Sequence, residues 1–146
     1  MTAARKGITR QEAVRRVLQG MTDDSVGYAA LQTLLEEQFQ ATLHHQSTRL
    51  TALADQVIAA VEPLDARRRQ RVSLVTALLG PQGDMPQLFA LLQEDARATA
   101  ERDWVVLEQM VLECKRLNAR NSDLLTEQYS IMQRVLHGEE DTYAPG

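Results

Sequence analysis

The chain has 146 residues, a length that suits a single domain. Apolar residues make up 44% and aromatics only 4%, with 7 Gly and 4 Pro, which disfavours a sheet protein, whose turns and pleated faces draw on those residue types. A formal net charge of −4 lacks the basic surface that nucleic-acid binding needs, and the lone Cys114 permits neither an internal disulfide nor a paired-cysteine metal site.

The first element opens with Thr9 and Glu12 at capping-box spacing. Val14, Val17, Leu18 and Met21 then mark one apolar face, predicting a short helix over about 9–21. "MTDDSVG" follows, where Asp23, Asp24 and Ser25 are candidate caps for the next helix. That second helix runs from about Val26 to His45 on Leu31, Leu34, Leu35, Phe39 and Leu43. "HHQST" reads as a tight turn with Ser47 or Thr48 as the next cap, although the periodicity also allows continuation.

A third helix spans roughly 48–79. Leu50, Val57 and Leu64 are seven apart, as are Ala54 and Val61, in the manner of a coiled-coil seam. Pro63 lies inside it and predicts a kink or break near 59–62. Arg68 and Arg71 then take seam positions, as if the helix outruns its partner there. "GPQGDMP" is the clearest loop, and Asp84 with Pro86 suits a new helix start.

The last segment runs from about Met85 to Leu136, with a break expected in the apolar-poor "QEDARATAERD". Beyond Trp104 the pattern is regular. Leu107, Cys114, Asn121, Gln128 and Val135 share one heptad position, and Met110, Leu117, Leu124 and Ile131 another. Val111, Asn118, Leu125 and Met132 flank them and widen the stripe. Gly138 is a natural stop, and the acidic remainder reads as disordered. The expected fold is therefore all-α: an elongated antiparallel helical bundle or coiled coil of three main helices. Residues 1–137 form the one domain, with 1–21 as an N-terminal extension helix and 138–146 as a flexible acidic tail.

Catalytic patterns are missing. His44 and His45 are adjacent, so on a helix they point about 100° apart, and the lysine and glycine of a phosphotransfer histidine do not follow them. There is no Gly-rich phosphate loop, no GxSxG and no HExxH. Cys114 reads as a small buried thiol. "ARRRQR" at 66–71 reads as a solvated helix face, since arginines outnumber lysines fourteen to two throughout, with an acidic protein partner as the alternative. No apolar run approaches the ~18 residues of a membrane span, and the N-terminus lacks a signal-peptide core. A soluble, cytoplasmic protein without enzyme activity, cofactor or metal is expected.

Asn118 and Asn121 stand out, because asparagine prefers caps and turns to helix interiors. Periodicity leaves two readings open. A seam asparagine fixes register at a cost in stability, or its amide faces a bound chain.

The run Trp104, Leu107, Cys114, Leu117, Asn118, Asn121, Leu124, Leu125, Ile131, Leu136, then Thr142, Tyr143 and Gly146, resembles the FlgN family of flagellar type III export chaperones. The resemblance covers roughly 28–146, with Ser122 and Ala144 standing where the family usually has glycine. It implies a cytoplasmic chaperone that binds the C-terminal helices of hook–filament junction proteins, prevents their self-association, and delivers them to the export-gate membrane protein. On this reading Leu117, Asn118, Asn121, Leu124, Leu125 and Met132 contact the client, and Thr142 and Tyr143 contact the gate. The chain would be a monomer or weak homodimer, bind no nucleic acid and insert in no membrane. The rival reading is a coiled-coil adaptor that oligomerises through the same stripe.

Overall fold

The structure is a computed structural model that describes residues 8–143, with side chains described as far as Gly138. Its elements are α1 (Arg10–Leu43), α2 (Ser47–Leu79), the short α3 (Met85–Phe89) and α4 (Glu94–Tyr143). The all-α expectation holds for the described residues. α1 is the central element and packs along both α2 and α4, while α3 bridges α2 and α4.

The two helices expected before residue 46 are one. Thr9 caps α1, its Oγ1 accepting from the Glu12 amide at 3.1 Å, and the helix then passes through "MTDDSVG" unbroken. The would-be caps find other partners. Ser25 Oγ donates to the Met21 carbonyl at 3.2 Å, and Asp23 accepts from Gln19 at 3.1 Å. Asp24 turns inward, where Arg67 Nε (2.6 Å) and Arg71 Nη1 (2.7 Å) donate to its two carboxylate oxygens. A carboxylate held by two arginines of a neighbouring helix has no need to cap its own. Gly27 serves the same contact: a Cβ there would sit 2.8 Å from Leu64 Cδ2, so glycine lets α1 and α2 approach closely.

α1 ends where expected. The Gln46 amide donates to the Ala41 carbonyl at 2.9 Å, and His45 takes the left-handed conformation with φ 54°. The cap position of α2 is Gln46 rather than Ser47 or Thr48, and Gln46 makes no side-chain cap bond. α2 continues through Pro63 without a break. Pro63 and Ala59 are both exposed, so water is available to the carbonyl that proline deprives of a donor. Nor does α2 outrun its partner at Arg71. That guanidinium stacks 5.3 Å from the Trp104 ring centroid of α4 while pairing with Asp24 of α1. One arginine thus ties three helices together.

Gly80, at φ 86°, ends α2 in a conformation that favours glycine. Asp84 and Gln87 then complete a capping box at α3, whose amide-to-side-chain bonds measure 2.9 and 3.1 Å. The break after α3 falls at 90–93, and Glu94 and Asp95 open α4 with charges that suit a helix N-terminus. α4 is 50 residues long, about 75 Å at the α-helical rise. It does not stop at Gly138 but reaches Tyr143, since an interior glycine costs a helix only ~1 kcal/mol relative to alanine. Ala144–Gly146 of the expected flexible tail, and residues 1–7 of the extension helix, lie outside the described residues.

The core has two parts. One gathers Val17 and Met21 of α1, Leu74 and Val75 of α2, Leu88 and Phe89 of α3, and Leu107 of α4. Phe89 meets Trp104 edge-on at 6.4 Å between centroids. The other is thinner: Leu31, Leu35, Leu64, Cys114 and Leu117. Asp24 and Gly27 lie between them in the sequence of α1, as Arg67 and Arg71 lie between Leu64 and Leu74 in that of α2.

Candidate functional site: the distal face of α4

The α1–α4 interface follows one register. Cys114 Sγ lies 3.7 Å from the Tyr28 carbonyl, Asn121 Nδ2 donates to the Leu35 carbonyl at 2.8 Å, and Gln128 Nε2 donates to the Thr42 carbonyl at 3.1 Å. Each pair is 86 residues apart, so α1 and α4 run parallel, and a donor recurs every seventh residue of α4. A parallel helix pair with a heptad seam buries the same helix face in each repeat. Here that face carries a hydrogen-bonded rung in three successive repeats.

Asn121 is the most engaged of the three. It is 1% exposed, donates also to Gln38 Oε1 at 3.0 Å, and accepts at Oδ1 from Arg120 Nε and Nη2, both at 3.2 Å. Arg120 in turn lies 3.7 Å from the Phe39 ring centroid and pairs with Glu36 at 3.3 Å. Among the described residues, no buried side-chain nitrogen or oxygen lacks a partner. The amide of Asn121 is thus spent inside the chain, in keeping with the register reading rather than with direct contact to a bound protein. Burial pushes the Cys114 thiol above its ordinary value, so it stays protonated and packs as a small apolar group.

The six residues expected to meet a client therefore divide. Leu117 is buried beside Asn121, and Leu124 is half-buried. Asn118, Leu125 and Met132 are exposed, the last two at 42% and 51%. Asn118 and Leu125 lie beside α1 but outside its contact, whereas Met132 lies beyond the end of α1. Gln128 meets Thr42 one residue before α1 ends at Leu43, and α4 continues to Tyr143 past the end of α1. Beyond that point Ile131, Met132 and Val135 continue the stripe with 45–57% of their surface exposed. The apolar spacing was visible in the sequence, but not that α1 would stop short of it. Thr142 and Tyr143 lie in the last turn, and their side chains are outside the described residues.

The FlgN family model, described as FlgN protein, matches residues 13–137. The chain belongs to the FlgN family. Membership carries flagellar export chaperone activity in general and marks a chaperone family rather than an enzyme family. The match spans all three long helices, including the part of α1 before residue 28. Neither a curated protein nor a solved structure matches the chain. Among the described residues, no helix is long and apolar enough to cross a membrane, and no group of three or more His, Cys, Asp or Glu could hold a metal ion.

Around the remaining sequence candidates the chemistry is structural. His44 Nδ1 lies 2.7 Å from the Gln40 carbonyl, and His45 forms the turn. Of the arginines at 66–71, Arg67 and Arg71 hold Asp24, whereas Arg68 and Arg69 pair with Asp65 on the surface at 3.0 and 3.2 Å. "ARRRQR" is thus half interior and half solvated. The acidic residue that explains it, Asp24, reads from sequence as a helix cap.

Proposed function

We propose that the chain is a cytoplasmic flagellar type III export chaperone whose client seat is the part of α4 that outruns α1. The clients are hook–filament junction proteins, bound through their C-terminal helices. The observation that carries this reading is the continuation of one apolar heptad face past Gln128, beyond the end of α1, where Ile131, Met132 and Val135 are exposed. A client helix laid along Ile131, Met132 and Val135 would occupy the line that α1 vacates, with Leu124 and Leu125 at its near end. Such a helix-in-groove arrangement covers a surface that otherwise drives self-association. Met132 offers an adaptable contact, Asn118 lies at the near edge, and Leu117 and Asn121 support the seat from beneath. Thr142 and Tyr143 at the far end of α4 are the proposed contact to the export-gate membrane protein, a lone aromatic serving as anchor.

Binding measured by calorimetry separates the two roles. Leu125→Ala combined with Met132→Ala is expected to weaken a junction-protein C-terminal segment about tenfold, and an affinity within twofold of the parent would refute the seat. Removal of residues 139–146 should leave that affinity unchanged while weakening binding to the gate's cytoplasmic domain. Loss of both would refute the division of roles.

A further inference from the structure

The first turns of α4 and the N-terminal half of α1 leave a groove between them, far from the distal face. It has a volume of about 610 Å³ and is lined by Leu18, Met21 and Thr22 of α1 and by Ala96, Ala100 and Val106 of α4. Met21 and Ala100 are buried in its floor, whereas Val106 keeps 48% of its surface exposed. Thr22, Ala96 and Ala100 are small, so the groove suits an extended chain better than a helix about 10 Å across. Two carboxylates, Asp95 and Asp103, edge it, and both are exposed. Neither pairs with a cation among the described residues. Arg102, next to Asp103 in sequence, donates to the Thr99 hydroxyl at 3.5 Å instead.

The 86-residue offset of the α1–α4 seam puts Glu94 and Asp95 level with Ile8 and Thr9, and Asp103 level with Val17. Ile8 packs against the first core, so the chain joins the bundle at the near end of this groove. Residues 1–7, "MTAARKG", stand ahead of it, with Arg5 and Lys6 as cations and Gly7 next to Ile8. The family match begins at residue 13, so this segment lies outside what the family model describes.

We propose that residues 1–7 reverse at Gly7 and dock in the α1–α4 groove of their own chain as an extended strap. The reach suffices. Seven extended residues span up to ~25 Å, and Met21 stands ~20 Å beyond Ile8 at the α-helical rise. Lys6 then falls nearest Asp95 and Arg5 nearest Asp103. Ala3 and Ala4 pass beside Leu18, and Met1 meets Met21 and Val106. Each cation of the segment thus finds a carboxylate, and its apolar residues find the apolar floor. Glycine suits the reversal because it accepts backbone conformations that other residues resist. Ion pairs at an exposed rim are screened by salt, so the strap holds at low ionic strength and loosens as salt rises.

A nitroxide at Ala3→Cys in the full-length chain, with Cys114→Ala to leave one thiol, reads the docked state through broadening of amide NMR signals. Thr22, Thr99 and Val106 should broaden, and Thr51 and Gln128 at the far end of the bundle should not. Arg5→Glu combined with Lys6→Glu should lower the docked-to-free ratio about tenfold, because two surface attractions become repulsions. These two residues precede α1, so their reversal leaves the packed helices untouched. Asp95→Lys combined with Asp103→Lys should have the same effect, and all four changes together should restore docking to within about threefold of the parent. Unbroadened signals at Thr22 and Thr99, or broadening indifferent to the reversal at Arg5 and Lys6, would overturn the proposal. Broadening of equal size when the nitroxide and the isotope label are on separate chains would assign the groove to a second copy's segment and overturn it as well.

Discussion

Asp24→Ala is expected to destabilise the chain by about 2–3 kcal/mol, far more than loss of any surface ion pair. Asp24 is 1% exposed and accepts from two arginines of α2. Removing one member of a buried ion cluster costs roughly 3–5 kcal/mol when the stranded charge cannot reach water. Arg67 and Arg71 keep 23% and 14% of their side-chain surface exposed, which relieves part of that penalty. Arg71 retains the Trp104 ring, so the guanidinium keeps one favourable contact. Asp65→Ala is the control: its partners Arg68 and Arg69 lie on the surface, and the expected loss stays below ~1 kcal/mol. Urea unfolding of both variants measures the difference directly. Equal losses would mean that Asp24 is no interior tie.

Asn121→Ala is expected to cost about 2 kcal/mol, from hydrogen bonds worth ~1 kcal/mol each and a small cavity. Asn121→Leu tests the register function separately. It removes the same bonds but refills the space with an apolar group, so stability should stay within ~1 kcal/mol of the parent. What should change is uniqueness. Spin labels at Gln40 and Ser130 should report one sharp distance in the parent and a broadened distribution in Asn121→Leu. A sharp, unshifted distance in that variant would show that Cys114 and Gln128 hold the register without Asn121.

Much of this architecture is legible in the chain because helical periodicity is a local property. The α4 stripe and the helix start at Asp84 follow from spacings within a few residues, and a turn at 44–46 is one of the two readings they allow. Local spacing does not reveal a residue whose partner is distant. Asp24 has the side chain of a helix cap, and only arginines 43 and 47 residues away turn it into an interior tie. Arg71 breaks the apolar seam of α2 yet packs against Trp104, as a guanidinium stacked on an aromatic face can do inside a helix interface.

The asparagines show the same limit. Asn118 and Asn121 are three residues apart and similar in local context, yet one is exposed and the other fully bonded to α1. A signal was nevertheless present. Cys114, Asn121 and Gln128 put small or polar groups at one heptad position where leucine is the ordinary choice, and each is a donor to a backbone carbonyl of α1. A turn at "HHQST" was one of two readings that the sequence allowed, and its consequence for α4 needed the 86-residue offset that only the fold supplies.

The distal face of α4 is best tested by amide hydrogen exchange of the full-length chain, with and without the C-terminal helical segment of a hook–filament junction protein. Residues 129–138 should exchange fast in the free chain and be slowed when the segment binds, because a helix end without neighbours frays and a covered one does not. The amides of α1 and α2 should change little. Protection confined to residues 10–79, with 129–138 exchanging as before, would place the client elsewhere and contradict the proposed seat.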